Sequence, residues 1–399
     1  MGGVPWKKIV VDISAMQQIY LSSCLNYKST TYNTNMTTIM LLGPALTAVS
    51  GVTTHLNQLF HSSLSQDYKL VHFQVGSEGR NESRLHKLLR FAWSPVQFVQ
   101  AVRQQRPQIV HINTSMEWRS YWRDIVYLLL AKAMGKRVVY QVHGGALPQV
   151  FFNGKPLLTG LLRRVLRAAD VVVLLAQCEL QGYRDFDPAL ALDVIPNAID
   201  AGSDPGDRPL LPQRPLSLVY VGRLAESKGL FDLLEALRLA RAAGVQATLA
   251  LAGSGPLEAA LRERVAGLGL QEAVRFLGPV FGAEKEAVWR QADLFGFPTL
   301  HQEGLPYALL ESMAARTPVL VCPVGAIADV MQDGVHGVFL PPRNPQALAD
   351  AIVRLDGDRA LLQRMGQACR ERIESAYTVE RLAQDFRRVY RALLAPPAV

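Results

Sequence analysis

The feature that most constrains the fold is an alternation of apolar strand patterns and helical patterns, which runs twice along the chain. The predicted strands of the first series are residues 37–42, 68–75, 109–112, 137–143, 171–176 and 192–195. Those of the second series are 216–221, 247–252, 274–277, 295–299, 319–322 and 337–340. Strands that alternate with helices form parallel sheets covered on both faces. The sequence therefore predicts an α/β protein with two Rossmann-like, doubly wound domains facing each other across a cleft.

Composition shifts mark the expected domain boundaries. Residues 1–36 are rich in Ser, Thr, Asn and Tyr, so we expect a poorly ordered N-terminal extension there. The Pro/Gly/Asp-rich stretch 201–215 is typical of a linker, which places one Rossmann-like domain at 37–205 and the other at 206–378. Residues 379–399 carry apolar side chains at helical spacing, which predicts a C-terminal helix that packs back toward the first domain.

Charge and cysteine usage narrow the classes of partner. The formal net charge of +8 favours an anionic partner. No zinc-finger or RNA-binding pattern accompanies it, so we expect no nucleic acid, which leaves nucleotide diphosphates and anionic lipid head groups. The four cysteines are scattered and match no metal-ligand spacing, so we predict no metal and a reduced, cytoplasmic compartment. No apolar run is long enough to span a membrane.

Two glutamates frame the stretch EGLPYALLE, Glu303 at its start and Glu311 at its end. A strand pattern precedes Glu303 and a helical pattern follows Pro306. Glu303 and Gly304 should therefore lie in a strand-to-helix turn, with Pro306 in the first helical turn. The free N–H groups of a helix start form an anion site, so the turn suits a nucleotide sugar with its diphosphate and hydroxyls. The alternative is a loop glutamate followed by a solvated helix glutamate.

Cations and glycines follow two strands of the second series. Gly222 permits a tight turn, and Arg223 and Lys228 place two positive charges where a strand ends and a helix begins, which suits a diphosphate. A surface loop with two solvated cations is the alternative. Gly253 follows the next strand in a pattern that only half-matches a dinucleotide fingerprint, so a plain tight turn is an equal interpretation.

The first series contributes a histidine and a glycine loop. His143 ends the predicted strand 137–143 and is followed by two glycines, a pattern that indicates an imidazole facing the cleft. A structural histidine at a strand end is the alternative. Gly51 follows Ser50 after the first strand, where a ligand-binding loop belongs in this class of fold.

Taken in order, these motifs resemble the retaining glycosyltransferases of family 4, also called group 1. The matching pieces are VGRL with Lys228-Gly229, AGSGP, RFLG, Glu303 with Glu311, and the weaker IPNAID. The segments HINTS and QVHGG resemble the polysaccharide-biosynthesis branch of that family. The likeness extends from about residue 37 to the C-terminus. It implies the GT-B fold, a nucleoside diphosphate sugar as donor, and neither a cofactor nor a metal.

The resemblance also implies roles for individual residues. Arg223 and Lys228 would hold the donor diphosphate, Glu303 and His143 would contact the transferred sugar, and Glu311 would bind the ribose. We thus predict His143, Arg223, Lys228 and Glu303 as catalytic residues. The predicted donor-binding residues are Gly51, Gly222, Gly253, Gly304, Leu305, Pro306 and Glu311. The first domain would bind the acceptor and the second the nucleotide sugar.

The expected activity is retaining transfer of a sugar to an acceptor hydroxyl, with a lipid-linked saccharide in cell-surface polysaccharide assembly as the acceptor. A sugar-nucleotide epimerase on the same fold, or a non-catalytic nucleotide-sugar binding protein, are the alternatives. Residues 84–93 and 157–167 mix basic and apolar side chains at helical spacing. Such segments favour a peripheral position at the inner face of the membrane, although a core-facing helix with a solvated basic side has the same pattern.

Overall fold

The first strand–helix series forms one parallel sheet. In this computed structural model, which describes residues 36–80, 82–206 and 214–396, the strand order is β2-β1-β3-β4-β5-β6. The strands are β1 (Thr38–Gly43), β2 (Lys69–Gln74), β3 (Ile109–Met116), β4 (Arg137–Gly145), β5 (Val171–Leu174) and β6 (Leu192–Val194). The helices are α1 (Gly51–His61), α2 (Leu64–Asp67), α3 (Arg84–Gln105), α4 (Trp118–Ala133), α5 (Pro148–Phe151), α6 (Pro156–Ala168) and α7 (Gln177–Phe186).

The second series forms a second parallel sheet, with strand order β12-β11-β10-β7-β8-β9. Its strands are β7 (Leu216–Val221), β8 (Ala247–Ala252), β9 (Val274–Gly278), β10 (Leu294–Phe297), β11 (Val319–Val321) and β12 (Gly337–Phe339). Its helices are α8 (Leu230–Ala242), α9 (Glu258–Gly267), α10 (Gly282–Gln291), α11 (Tyr307–Ala314), α12 (Ile327–Val330), α13 (Pro345–Gly357) and α14 (Arg359–Ala376). The predicted α/β class with two doubly wound sheets is confirmed. The predicted N-terminal extension lies outside the described residues, except for Met36, and the boundaries at 205 and 378 stay predictions.

Both sheets are covered on both faces, as the continuous apolar strands require. Along β1 the four side chains from Ile39 to Leu42 are fully buried. Ile39 and Leu41 pack in the core beside α1, whereas Met40 and Leu42 pack in the core beside α3, α4 and α6. A separate core fills both faces of the second sheet. Alternate side chains of one strand therefore support opposite helix layers.

Strand β3 is longer than the sequence pattern predicts. The expected strand ended at residue 112, but β3 continues through Asn113 and Thr114 to Met116. The apolar pattern stops at Ile112, whereas the pairing does not, because Asn113 and Thr114 stay in register with Gln141 and Val142 of β4. This correction matters, because it places polar side chains on the buried face of the sheet.

The last helix, α15 (Val379–Leu394), packs on the first sheet although it follows the second. Ile199 and Thr378 form a bridge where the chain returns. The apolar stripe that includes Leu382, Phe386 and Tyr390 is buried in the core beside α1. Thr378 caps the helix by accepting a hydrogen bond from Arg381 N at 3.3 Å. The two halves of the molecule are thus joined at a second point besides the linker.

Across the described residues, none of the helices combines the length and the apolar character needed to cross a bilayer.

Candidate functional site

Two glycine turns stand at neighbouring strand ends of the second sheet. Gly222 follows β7 and its N–H donates to Ala252 O at 2.9 Å; Gly253 follows β8 and donates to Gly278 O at 2.7 Å. Both have positive φ angles, 154° and 142°. A Cβ atom on Gly253 would collide with the carbonyl of Gly222, so the close approach of the two turns requires glycine there.

Lys228 and Glu303, which the sequence places in separate motifs, meet in the structure. Lys228 ends a 3-10 turn, Glu226–Lys228, and its ammonium group pairs with the carboxylate of Glu303. Thr299 Oγ1 donates to the same carboxylate oxygen at 2.8 Å. Both charged side chains are mostly buried. One cation and one carboxylate therefore share a partly desolvated position beside the turns that follow β7 and β10.

The turn that carries Glu303 is fixed by its backbone. Ala326 N donates to Glu303 O at 3.0 Å. Leu305 is buried, and its carbonyl accepts a hydrogen bond from Asn197 Nδ2 at 2.8 Å. Pro306 is the residue that precedes α11 and not, as expected, part of its first helical turn. The strand-to-helix turn at Glu303 and Gly304 nevertheless has the predicted place, directly before α11.

Glu311 lies in the second turn of α11 and has two partners on α10. Its Oε1 accepts from Lys285 Nζ at 2.6 Å, and its Oε2 accepts from Trp289 Nε1 at 3.2 Å. The sequence did not point to Lys285 or Trp289, because α10 carries no motif. Arg223, by contrast, is exposed, and its side chain enters no hydrogen bond or ion pair with other described residues.

On the first sheet, His143 is held between a polar and an aromatic neighbour. Its Nε2 lies 2.9 Å from Asn113 Oδ1. The ring of His55, from α1, lies edge-on at a centroid distance of 4.8 Å. Burial, and to a lesser extent the nearby His111, lowers the pKa of His143 to about 3. His143 is therefore a neutral imidazole at any physiological pH.

The two halves of the site touch across the cleft. A Cβ atom placed on Gly144 would lie 3.0 Å from Gly304 Cα, so the end of β4 packs against the turn after Glu303. The strand continues through Gly144 to Gly145 and does not end at His143 as predicted, because Gly145 still pairs with Met116 of β3. A Cβ on Gly51 would lie 3.6 Å from the ring of Tyr307. Gly51 begins α1, where Ser50 accepts a hydrogen bond from Thr53 N at 3.3 Å. The structure thus brings His143, Gly144, Glu303 and Gly304 to one junction of the two sheets, whereas no hydrogen bond or ion pair with a described residue ties the exposed Arg223 side chain to it.

Sequence reasoning missed the neutral members of the site. Asn113 and Thr299 are nearly inaccessible, and each contacts a predicted residue. The only signal for Asn113 was its place in the HINTS segment, and Thr299 carried none. Within the part of the chain that the structure describes, no three His, Cys, Asp or Glu side chains form a group that could hold a metal ion.

Two facing, doubly wound sheets with the site between their strand ends define the GT-B class of protein. The family model described as "Glycosyltransferase Family 4" matches residues 50–202, and the one described as "Glycosyl transferases group 1" matches residues 215–358. The first match covers β2 to β6 of the first sheet, and the second match covers all six strands of the second sheet. The chain belongs to the group 1, family 4 glycosyltransferases, as the order of its motifs indicated.

Individual relatives agree with this assignment. Glycogen synthase of Mycobacterium tuberculosis is 33% identical over 208 residues, 52% of this chain and 50% of that protein. The GDP-mannose-dependent alpha-(1-6)-phosphatidylinositol monomannoside mannosyltransferase of the same species is 29% identical over 267 residues, 63% of this chain and 68% of that protein. The aligned region thus spans about half the length of the first relative. The crystal structure of Anabaena Alr3699/HepE with UDP and glucose shares the fold, with a TM-score of 0.69 at 17% identity, over 89% of this chain and all of that one.

Proposed function

We propose that this protein transfers a sugar, with retention of anomeric configuration, from a nucleoside diphosphate sugar to an acceptor hydroxyl. The observation that carries the proposal is the meeting of Lys228, Glu303 and a helix start with the glycine end of β4 that follows His143. A nucleoside diphosphate sugar needs a cation and free amides for its phosphates, and polar groups for its sugar hydroxyls. The site offers these groups at one junction of the two sheets.

Donor binding would exchange the partners of the two glutamates. Glu303 pairs with Lys228, and Glu311 pairs with Lys285. A bound diphosphate would draw the Lys228 ammonium to its oxygens, which frees the Glu303 carboxylate to accept hydrogen bonds from sugar hydroxyls. Glu311 would likewise accept hydrogen bonds from the ribose hydroxyls. The ion pairs keep both carboxylates compensated until the donor arrives, because an unpaired, partly buried charge is costly.

The chemical step follows from charge development. The bond from the anomeric carbon to the diphosphate oxygen breaks, and the leaving diphosphate gains negative charge. Lys228, Arg223 and the amides before α11 would stabilise that charge by preorganised electrostatics. The acceptor oxygen would attack on the face from which the diphosphate departs, and its proton would pass to a leaving phosphate oxygen. This route uses no metal and no nucleophile from the protein.

A donor panel tests the proposal against its two rivals. The protein is incubated with labelled nucleotide sugars, with and without a membrane lipid extract, and nucleoside diphosphate release is measured. A transferase releases diphosphate only when an acceptor is present. An epimerase alters or frees the sugar without an acceptor, and a binding protein retains the donor unchanged. Either of the last two results rules out the proposed transfer.

The proposed acceptor is a lipid-linked saccharide, reached from the surface of the inner membrane leaflet. Helix α3 exposes a row of large apolar side chains: Leu85, Leu88, Leu89, Phe91 and Trp93. Phe91 is 62% exposed and Trp93 57% exposed. Helices α3 and α6 contain no acidic residue, whereas both contain several Lys or Arg. An apolar row on a helix that carries Lys and Arg but no acidic residue of its own fits an anionic lipid surface, although Arg90 of α3 pairs with Glu82 and Arg167 of α6 pairs with Asp187. The relative whose name includes phosphatidylinositol monomannoside agrees with such an acceptor.

Co-sedimentation with vesicles tests this surface. The intact protein should bind vesicles that contain anionic lipid, and salt should weaken the binding. The double variant Phe91→Ser, Trp93→Ser should bind about tenfold more weakly, because two aromatic side chains no longer enter the bilayer. Phe281→Ser is the matched control, since Phe281 is 55% exposed on the other half of the molecule. Equal loss in both variants, or no binding by the intact protein at low salt, contradicts the membrane proposal.

A further inference from the structure

The amide of Asn113 has a defined orientation. Its Nδ2 donates to the backbone carbonyl of Leu42 at 3.0 Å, so the amide nitrogen faces the neighbouring strand β1. Its Oδ1 then faces His143, at 2.9 Å from the ring Nε2. An amide oxygen only accepts hydrogen bonds, and therefore Nε2 of His143 must carry the hydrogen. Asn113 is almost fully buried, so water does not compete for either contact.

The second ring nitrogen of His143 is consequently an acceptor. Because burial keeps the ring neutral, only one of its nitrogens carries a hydrogen, and Asn113 takes that one. Nδ1 of His143 makes no hydrogen bond with any described residue, in contrast to Nε2. An unprotonated imidazole nitrogen beside the cleft turns can accept a hydrogen bond from a hydroxyl group.

A second set of buried bonds stiffens the surroundings of Asn113. Gln141, its register partner on β4, offers Oε1 to Nε2 of His111 at 2.9 Å. Nδ1 of His111 is then left to accept the hydroxyl of Tyr390 on α15 at 2.7 Å. His55 packs against His143 from α1. With the Gln141 amide in this orientation, His111 has the same tautomer as His143, and the Asn113 amide is additionally held by its hydrogen bond to Leu42 O.

We propose that Asn113 is a positioning residue that locks His143 in the Nε2–H tautomer, so that Nδ1 accepts a hydrogen bond from a hydroxyl of the transferred sugar. This inference rests on the proposed function and deepens it. It names a feature of the donor: the transferred sugar carries a free hydroxyl where it faces His143, and a donor deoxygenated at that carbon is a poor substrate.

Nitrogen NMR on ¹⁵N-histidine-labelled protein tests the tautomer without any turnover. The His143 signals, assigned by comparison with His143→Gln, should show a hydrogen on Nε2 and a bare Nδ1. Asn113→Asp should retain that tautomer, because a carboxylate oxygen still accepts the hydrogen bond. A wild-type His143 with its hydrogen on Nδ1 overturns the inference, whatever the activity.

Donor discrimination tests the second half of the inference. Asn113→Leu should lower turnover about tenfold through the loss of one oriented hydrogen bond. It should also lose most of the wild-type preference for the intact donor over the donor that lacks the hydroxyl facing His143. Asn57→Leu is the control, because Asn57 Nδ2 likewise donates to a backbone carbonyl, Leu46 O, at 2.9 Å. An unchanged preference in Asn113→Leu overturns the inference. If NMR shows the expected tautomer but the protein transfers sugar from no donor, the result counts against the proposed function and not against the tautomer.

Discussion

The two halves of the site are built from different kinds of interaction. On the second sheet the side chains of the candidate site are charged and form ion pairs, Lys228 with Glu303 and Lys285 with Glu311. On the first sheet His143 is neutral and is bound to a buried amide. Charged pairs at the margin of a cleft can change partners when a charged ligand arrives, whereas a buried neutral bond is hard to replace. The second sheet is therefore suited to hold and release a diphosphate, and the first to present one fixed imidazole.

The largest expected effect comes from removing a cation from the charged half of the site, which is the half on the second sheet. Lys228→Ala should lower turnover by about 10²–10³-fold, because a preorganised cation no longer stabilises the leaving diphosphate. Arg223→Ala should act in the same direction. Acceptor-dependent diphosphate release measures both, at folding matched by circular dichroism. Arg262→Ala is the control, since Arg262 forms an exposed pair with Glu258 on the outer helix α9. Near-normal turnover in both site variants would contradict the proposal that Lys228 and Arg223 hold the donor diphosphate.

A second change separates binding from chemistry within the same half. Glu311→Ala should raise the KM for the donor about tenfold and leave kcat nearly unchanged, because ribose contacts are equal in the ground state and the transition state. Steady-state kinetics against donor concentration give both constants. Glu286→Ala, an exposed glutamate on α10, should change neither. A fall in kcat as large as that of Lys228→Ala would mean that Glu311 acts on the reacting centre.

The neutral half of the site, with its buried histidines on and beside the first sheet, should make the stability of the protein depend on pH. Burial lowers the pKa of His111 and of His143 to about 3, and it lowers the pKa of His55 well below its usual value. The unfolded chain binds more protons than the folded one once the pH falls below about 6.5, so these groups reduce stability as the pH falls from there. Each contributes a slope that reaches about 1.4 kcal/mol per pH unit once the pH is about one unit or more below 6.5.

His55→Leu isolates one of these contributions. Both ring nitrogens of His55 are buried. Leucine removes the titrating group, so the free energy of unfolding should fall with pH less steeply than in the wild type, by about 1 kcal/mol per unit between pH 6.5 and 5. Denaturant titrations at several pH values measure the slope. An unchanged slope would show that His55 is already accessible to protons in the native state.

The smallest expected effect is that of metal removal. The proposed chemistry assigns charge stabilisation to Lys228, Arg223 and backbone amides, so transfer should continue in excess EDTA at the rate measured without it. Loss of activity that Mg²⁺ or Mn²⁺ restores would show that a metal ion shares the stabilisation of the leaving diphosphate with the charged half.

The sequence predicted the charged half of the site better than the neutral half, for a physical reason. Glu303, Lys228 and Gly222 stand at breaks in strong strand and helix patterns, where their chemistry is conspicuous. Asn113 lies within a strand whose apolar pattern had already ended, so the prediction stopped at residue 112, one residue before it. Its partner His143 was found, but their pairing depends on the register of β3 with β4. Local patterns carry no information on that register.

The ion pairs could likewise not be predicted from the sequence. Lys285 approaches Glu311 only because α10 and α11 pack together on the second sheet. The exposed apolar row of α3 shows a related ambiguity, since helical spacing alone fits a core-facing and a solvent-facing helix equally well. Tertiary packing decides between them, and it leaves Phe91 and Trp93 at the surface.

The most direct test of the proposed transfer is the configuration of the product. A nucleoside diphosphate sugar of known anomeric configuration, labelled with ¹³C at the anomeric carbon, is incubated with the protein and lipid extract, and the glycosylated product is measured by NMR. The proposed function predicts a new glycosidic bond with the configuration of the donor, formed by the wild type and by Arg262→Ala but about 10²–10³-fold more slowly by Lys228→Ala. An inverted product, or labelled sugar recovered free or epimerised with no glycoside formed, would contradict it.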